Sequence, residues 1–123
     1  MLFRSEVPPN SSTATGNATI TVDANKILTY TVVFSGLTTG LTAAHIHAPA
    51  APGNNANPIV PFTATNGVTA GTIGPTTVDL KTLLTGTITP DSLIKLMGNG
   101  NAYVNVHSSQ NPGGEIRGWL VKQ

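Results

Sequence analysis

Apolar and polar residues alternate with a period of two along several short stretches of this 123-residue chain, the pattern of half-buried β-strands. Ala18–Asp23 (ATITVD) and Lys26–Phe34 (KILTYTVVF) flank the turn signal Asp23-Ala24-Asn25 and predict a hairpin. Leu28, Tyr30, Val32 and Phe34 share one face of the second, longest strand. Leu41–Ala48 (LTAAHIHA) predicts a third strand, with His45 and His47 on one face and Ile46 on the other. Pro49–Pro58 (PAAPGNNANP) is loop by composition. Ile59–Phe62 is short and interrupted by Pro61, which places it at a sheet edge, because proline cannot donate to a ladder. Gly67–Ile73 and Thr77–Leu80 predict two weaker strands. One segment has helical character, Pro90–Met97: Thr89 caps it, Pro90 suits its first turn and Gly98 ends it.

The clearest pattern comes last. Asn101–His107 and Glu115–Leu120 both alternate, and the link between them contains Asn-Pro-Gly-Gly. Pro112 suits position i+1 of a type II turn and Gly113 its positive-φ position. Antiparallel pairing sets His107 opposite Glu115, Asn105 opposite Arg117 and Tyr103 opposite Trp119. One face is then Ala102, Val104, Val106, Ile116, Gly118 and Leu120, which is core. The other gathers Tyr103, Asn105, His107, Glu115, Arg117 and Trp119, and functional residues are expected there.

Short strands with Gly and Pro punctuation and at most one short helix predict an all-β fold, a Greek-key-like antiparallel β-sandwich or barrel. Lys26–Phe34 and Ala102–Val106 are its expected central strands. Residues 1–16, polar and carrying Pro8-Pro9, read as an extended N-terminal arm, and residues 17–123 as the β domain. The arm has no strand pattern of its own, so it is expected to lie on its own sheet or on a neighbouring subunit by β-augmentation. The second arrangement makes the chain its own partner in a homo-oligomer or filament.

Composition narrows the function. Charged residues make up 9% of the chain and the net charge is +1, so no basic stripe addresses nucleic acid. No apolar run is long enough for a membrane span. Cysteine is absent, which excludes Cys-based zinc, iron–sulfur and blue-copper sites. The opening MLFRSEVPPN is too briefly apolar for a signal peptide, which fits a mature, processed chain or a cytoplasmic one, and the Thr/Asn-rich, low-charge surface points to the first, outside the cell. Asn10-Ser11-Ser12 and Asn17-Ala18-Thr19 match the glycosylation triplet, which is frequent by chance in this composition.

Three motifs, AHIHAP at Ala44–Pro49, GNNANPIVPF at Gly53–Phe62 and AYVNVHSSQNPGGEIRG at Ala102–Gly118, resemble in order and spacing the CHRD (chordin-type) domain over about residues 16–121. The resemblance implies an all-β domain of the kind found in chordin, an extracellular antagonist of bone morphogenetic proteins. It also implies kinship with secreted or surface proteins of bacteria and archaea. The domain supplies no catalytic residues to carry over, and this chain lacks chordin's Cys-rich modules.

All three histidines of the chain, His45, His47 and His107, fall in these motifs. An H-x-H strand sets two imidazoles on one side, roughly 7 Å apart along the strand. Three imidazoles suit copper or zinc. Glu115 is a candidate second-shell partner or fourth ligand, and Arg117 a candidate for steering an anion. The pattern is also similar to copper/zinc superoxide dismutase, a β-barrel whose H-x-H strand ligates copper outside the barrel, although no fourth histidine and no Asp/His zinc cluster are present. The alternative is structural: His45 and His47 bond loop backbone, and Glu115 pairs with Arg117. Neither a Gly-rich phosphate loop nor a serine elbow is found. Three readings therefore stand: a non-enzymatic extracellular or cell-surface module that is structural or self-assembling, a small metal-binding protein, and a dismutase-like enzyme.

Overall fold

The alternating stretches fold into strands that assemble as two antiparallel sheets. The structure is a computed structural model that describes residues 13–49 and 56–122, together with the backbone of residues 2–7. Among these residues the strands are β1 (Leu2–Val7), β2 (Thr15–Val22), β3 (Ile27–Ser35), β4 (Leu41–His47), β5 (Pro58–Pro61), β6 (Gly71–Asp79), β7 (Tyr103–Ser108), β8 (Ile116–Trp119) and β9 (Val121–Lys122). One sheet has the order β6-β3-β2-β1-β9 and the other β5-β4-β7-β8. The expected hairpins β2–β3 and β7–β8 form, β3 and β7 are internal strands, and proline-bearing β5 is an edge. The architecture is a two-sheet sandwich.

Alternation decides which residues meet between the sheets. Ile20, Leu28, Tyr30, Val32 and Phe34 project from the first sheet, and Ala44, Ile46, Val104, Val106 and Ile116 from the second. Each fully buried large aliphatic side chain contributes about 1.5–3 kcal/mol. Tyr30 keeps its hydroxyl satisfied by accepting from the Thr63 N–H at 2.9 Å, and it stacks on Phe62 at 4.1 Å. Beside the β2–β3 turn, Leu80, Leu93 and Met97 of two helices, α1 (Leu80–Leu83) and α2 (Pro90–Gly98), are buried. The Leu80 N–H bonds the Lys26 carbonyl, and Lys26 pairs with Asp91 at 3.0 Å. The α2 cap is the expected one: the Thr89 hydroxyl accepts from the Ser92 N–H, and the Ser92 hydroxyl accepts in return from the Thr89 N–H.

Four details differ from the pattern-based reading. Leu2–Val7, read as part of an extended arm, is a strand within the first sheet. It pairs along its whole length with β2 and at Phe3 and Arg4 with β9. Backbone pairing does not need an alternating side-chain pattern, so the pattern gives no strand there, and of the two placements expected for the arm Leu2–Val7 takes the one on its own sheet. Gly67–Ile73 and Thr77–Leu80 merge into the single strand β6, with a bulge opposite Tyr30 and Val32. Gly74 allows this bulge: its φ is +83°, and a Cβ there would lie 2.3 Å from the Tyr30 carbonyl oxygen. α1 adds a single helical turn, capped by the Asp79 carboxylate accepting from the Lys81 N–H. The Asn111–Gly114 turn does close, with the Gly114 N–H on the Asn111 carbonyl at 3.0 Å, but the positive φ falls on Gly114 (+119°) and not on Gly113. It is therefore not type II.

Residues 50–55 of the expected Pro49–Pro58 loop, and the Asn10-Ser11-Ser12 triplet, lie outside the described residues. Asn17-Ala18-Thr19 lies on β2, with Asn17 exposed. Among the described residues no helix is long and apolar enough to cross a membrane.

Candidate metal centre

The register of the second sheet brings the histidines together. β4 pairs with β7 so that Ala43 faces His107, His45 faces Asn105 and His47 faces Tyr103. β7 pairs with β8 so that Asn105 faces Arg117 and Tyr103 faces Trp119. His45, His47 and His107 thus share the face turned away from the sandwich core, as the alternation requires. They are not left in water: His47 is 6% and His107 8% exposed. Ala56, from the segment before β5, bonds one of the two, and the Ser108–Gly114 turn folds back to bond the other.

One potential ligand nitrogen from each of the three rings lies within 4.8 Å of the others. His45 Nδ1 and His107 Nε2 are 3.2 Å apart. Two nitrogens bound tetrahedrally at about 2.0–2.1 Å from one ion stand about 3.3–3.4 Å apart, so this pair already has a chelating separation. For one ion to reach all three rings, the widest separation must close by about 1.4 Å.

Backbone carbonyls decide where the protons sit. His47 Nδ1 lies 2.9 Å from the Ala56 oxygen, and His107 Nδ1 lies 2.9 Å from the Pro112 oxygen. A carbonyl oxygen only accepts, so the neutral form of each ring carries its proton on Nδ1 and presents an Nε2 lone pair. The His107 lone pair takes the N–H of His45 Nδ1. His47 Nε2 is buried with no hydrogen-bond partner. A buried nitrogen left unpaired costs free energy unless something binds it.

Electrostatics keep His45 and His47 neutral. Burial, reinforced by His107 and His47, pushes His45 down to about 4 from the ordinary imidazole value. Burial also lowers His47, with His107 and Arg117 adding to it against the opposing bond to Ala56. Neutral rings are what a metal ion needs, and His45 must in addition move the Nδ1 proton it donates to His107 onto its Nε2 before Nδ1 can bind. The lowered value at His45 also sets a stability profile. Between about pH 4 and 6.5 the unfolded chain takes up a proton at residue 45 that the folded chain refuses. Stability therefore falls as pH falls through that window and stops responding to this group above it. Urea melts from pH 4 to 8 are expected to show that decline, and a profile flat down to pH 4.5 would contradict a neutral His45.

The other expected site residues lie apart from the cluster or beside it. The Glu115 carboxylate, 1% exposed, accepts from the Thr38 N–H (2.8 Å), the Thr38 hydroxyl (2.7 Å), the Ser108 hydroxyl (2.7 Å) and the Asn111 amide (3.3 Å). It ties two loops together, and it is not among the grouped ligand atoms. Arg117 lays its guanidinium over the Tyr103 ring, 4.0 Å from the centroid, beside the cluster. Asn105, 2% exposed and on the face where functional residues are expected, donates its amide to the Gly113 carbonyl at 3.2 Å and holds the turn that carries Pro112. A Cβ on Gly114 would lie 2.2 Å from the Asn105 Oδ1, and the Gly114 φ is +119°. Gly114→Ala is therefore expected to cost about 1–3 kcal/mol. This would appear as a lower urea midpoint at unchanged slope.

Comparison with known families finds that the family model of the CHRD domain fits residues 3–120. No curated protein and no solved structure matches the chain.

Proposed function

The chain belongs to the CHRD family, and from that premise we propose that it is an extracellular β module that binds one transition-metal ion, copper before zinc, through His45, His47 and His107. The observation that carries this reading is the pair of Nε2 lone pairs on His47 and His107, aimed by the Ala56 and Pro112 carbonyls, with the His47 one buried and unpartnered. A histidine serving only to tie down a loop needs its Nδ1–H and has no use for a buried, unpaired Nε2. Hydrogen bonding of the outer ring nitrogen to a carbonyl is also how metal-bound histidines are usually oriented. Copper comes first because affinity for nitrogen ligands peaks at copper among divalent first-row metals. The low charge of the surface, 9% of residues, and the frequency of the family in secreted proteins support a place outside the cell.

Calorimetric titration of chelator-treated protein tests the reading. One equivalent of copper per chain is expected, with weaker zinc binding at the same stoichiometry. A ligand at a hundred times its Kd adds about 2.7 kcal/mol to stability, on the order of 10 °C in Tm for a domain of this length. Substoichiometric binding, or copper binding that survives loss of the histidines, would overturn the proposal.

A further inference from the structure

We propose that the metal site exchanges single electrons with a carrier at the protein surface, along the rings of His47, Tyr103 and Trp119. The inference rests on the reading of the three histidines as a copper site. These three residues occupy one rung across β4, β7 and β8: His47 faces Tyr103, and Tyr103 faces Trp119. The His47 and Tyr103 rings stack with centroids 4.8 Å apart and planes 11° apart. Tyr103 and Trp119 follow at 4.8 Å and 60°. The first two residues are joined a second time, because the His47 Nδ1–H and the Tyr103 hydroxyl both donate to the Ala56 carbonyl, at 2.9 and 3.3 Å. The path starts at a ligand ring, passes through a side chain only 1% exposed and ends at Trp119, which is partly exposed. Aromatic packing alone would not require the innermost ring to be an imidazole whose other nitrogen belongs to the histidine cluster.

Tyr103 is the bridge and not a stopping point for charge. Its hydroxyl donates to a carbonyl, which takes no proton, so the phenol keeps its hydrogen. The Arg117 guanidinium, 4.0 Å above the ring, opposes positive charge there. The step balances simply. Copper(I) gives up one electron and becomes copper(II), and an outer-sphere one-electron acceptor at Trp119 is reduced by that electron. No bond forms or breaks, and no proton moves.

The test attaches the acceptor close in sequence to the far end of the path. The chain has no cysteine, so Lys122→Cys, an exposed position three residues beyond Trp119, takes a single ruthenium polypyridyl label. Copper content and the copper(II) paramagnetic resonance spectrum are measured first. The protein is then reduced, and a laser flash with an external quencher generates ruthenium(III), whose re-reduction by copper(I) is timed. Trp119→Leu and Tyr103→Leu in the labelled background are expected to slow that step at least about tenfold, a rate change equal to one decade on the barrier scale. Copper content and spectrum should not change in Trp119→Leu. Because Tyr103 is buried, its variant can fail to fold, and Trp119→Leu then decides. Full copper occupancy with a wild-type rate in Trp119→Leu overturns the path alone. Absence of copper from the labelled parent protein overturns the metal reading and the path with it.

Discussion

His45→Ala is expected to lose metal binding by about two to three orders of magnitude while leaving the metal-free domain folded. The affinity estimate follows from sharing the roughly 10–16 kcal/mol of a four-ligand imidazole or thiolate site among its ligands, about 2.5–4 kcal/mol each, which is about 10²–10³ in Kd. The small effect on folding follows from the position of the ring. His45 is only partly buried, and its hydrogen bond is to the neighbouring His107 rather than to a loop. Its removal also takes away a group that burial makes reluctant to protonate. The wild-type chain loses stability from pH 6.5 towards 4 because its unfolded form binds the extra proton, and the variant lacks that uptake at residue 45. The variant should therefore gain stability relative to the wild type as the pH falls, and the two curves should run parallel above pH 6.5. Paired urea melts and copper titrations measure both effects. Unchanged copper affinity would remove His45 from the site, whatever the melts show.

Both the pairing of the last hairpin and the convergence of the histidines were legible in the chain. Alternation with period two leaves no freedom once one face is apolar, so Tyr103/Trp119 and Asn105/Arg117 pair as the pattern requires. The H-x-H motif needed only to lie beside the Tyr103–Ser108 strand for the three rings to meet, and β4 does pair with β7. What could not be read is carried by backbone. The Ala56 and Pro112 carbonyls that orient His47 and His107 have no residue type to give them away. The same holds for β1, which joins its sheet through main-chain pairing with β2. Facing away from the core was also no guide to exposure, because the segment at Ala56 and the Pro112 turn bond the histidines on that face. The Asn-Pro-Gly-Gly signal did mark a tight return of the chain, and a glycine with positive φ does sit there, one position later than the turn rules placed it.

Glu115 provides the largest expected effect on stability, and it separates a ligand from a clasp. As a clasp its carboxylate accepts three bonds of 2.7–2.8 Å and one of 3.3 Å, from Thr38, Ser108 and Asn111. Bonds to a charged acceptor contribute about 1.5–3 kcal/mol each. The Thr38 groups are near enough to solvent to find water when the carboxylate is removed, whereas the Ser108 side chain is fully buried. Glu115→Ala is therefore expected to cost about 2–4 kcal/mol, less than the simple sum, because only part of the network is left unpaired. For a domain whose total stability is of the order of 5–15 kcal/mol this is a large share, on the order of 10 °C in Tm. Glu115→Gln keeps the size but turns an NH₂ group towards donors at one end or the other, so it should recover only part of the loss. Copper stoichiometry of the folded Glu115→Gln protein should stay at one per chain, since the carboxylate points into the loops and not at the rings. If Glu115 were instead a fourth ligand, copper would be lost with little change in the metal-free melting curve. Thermal denaturation of the metal-free variants alongside their copper titration distinguishes the two, because the roles predict opposite outcomes in each measurement.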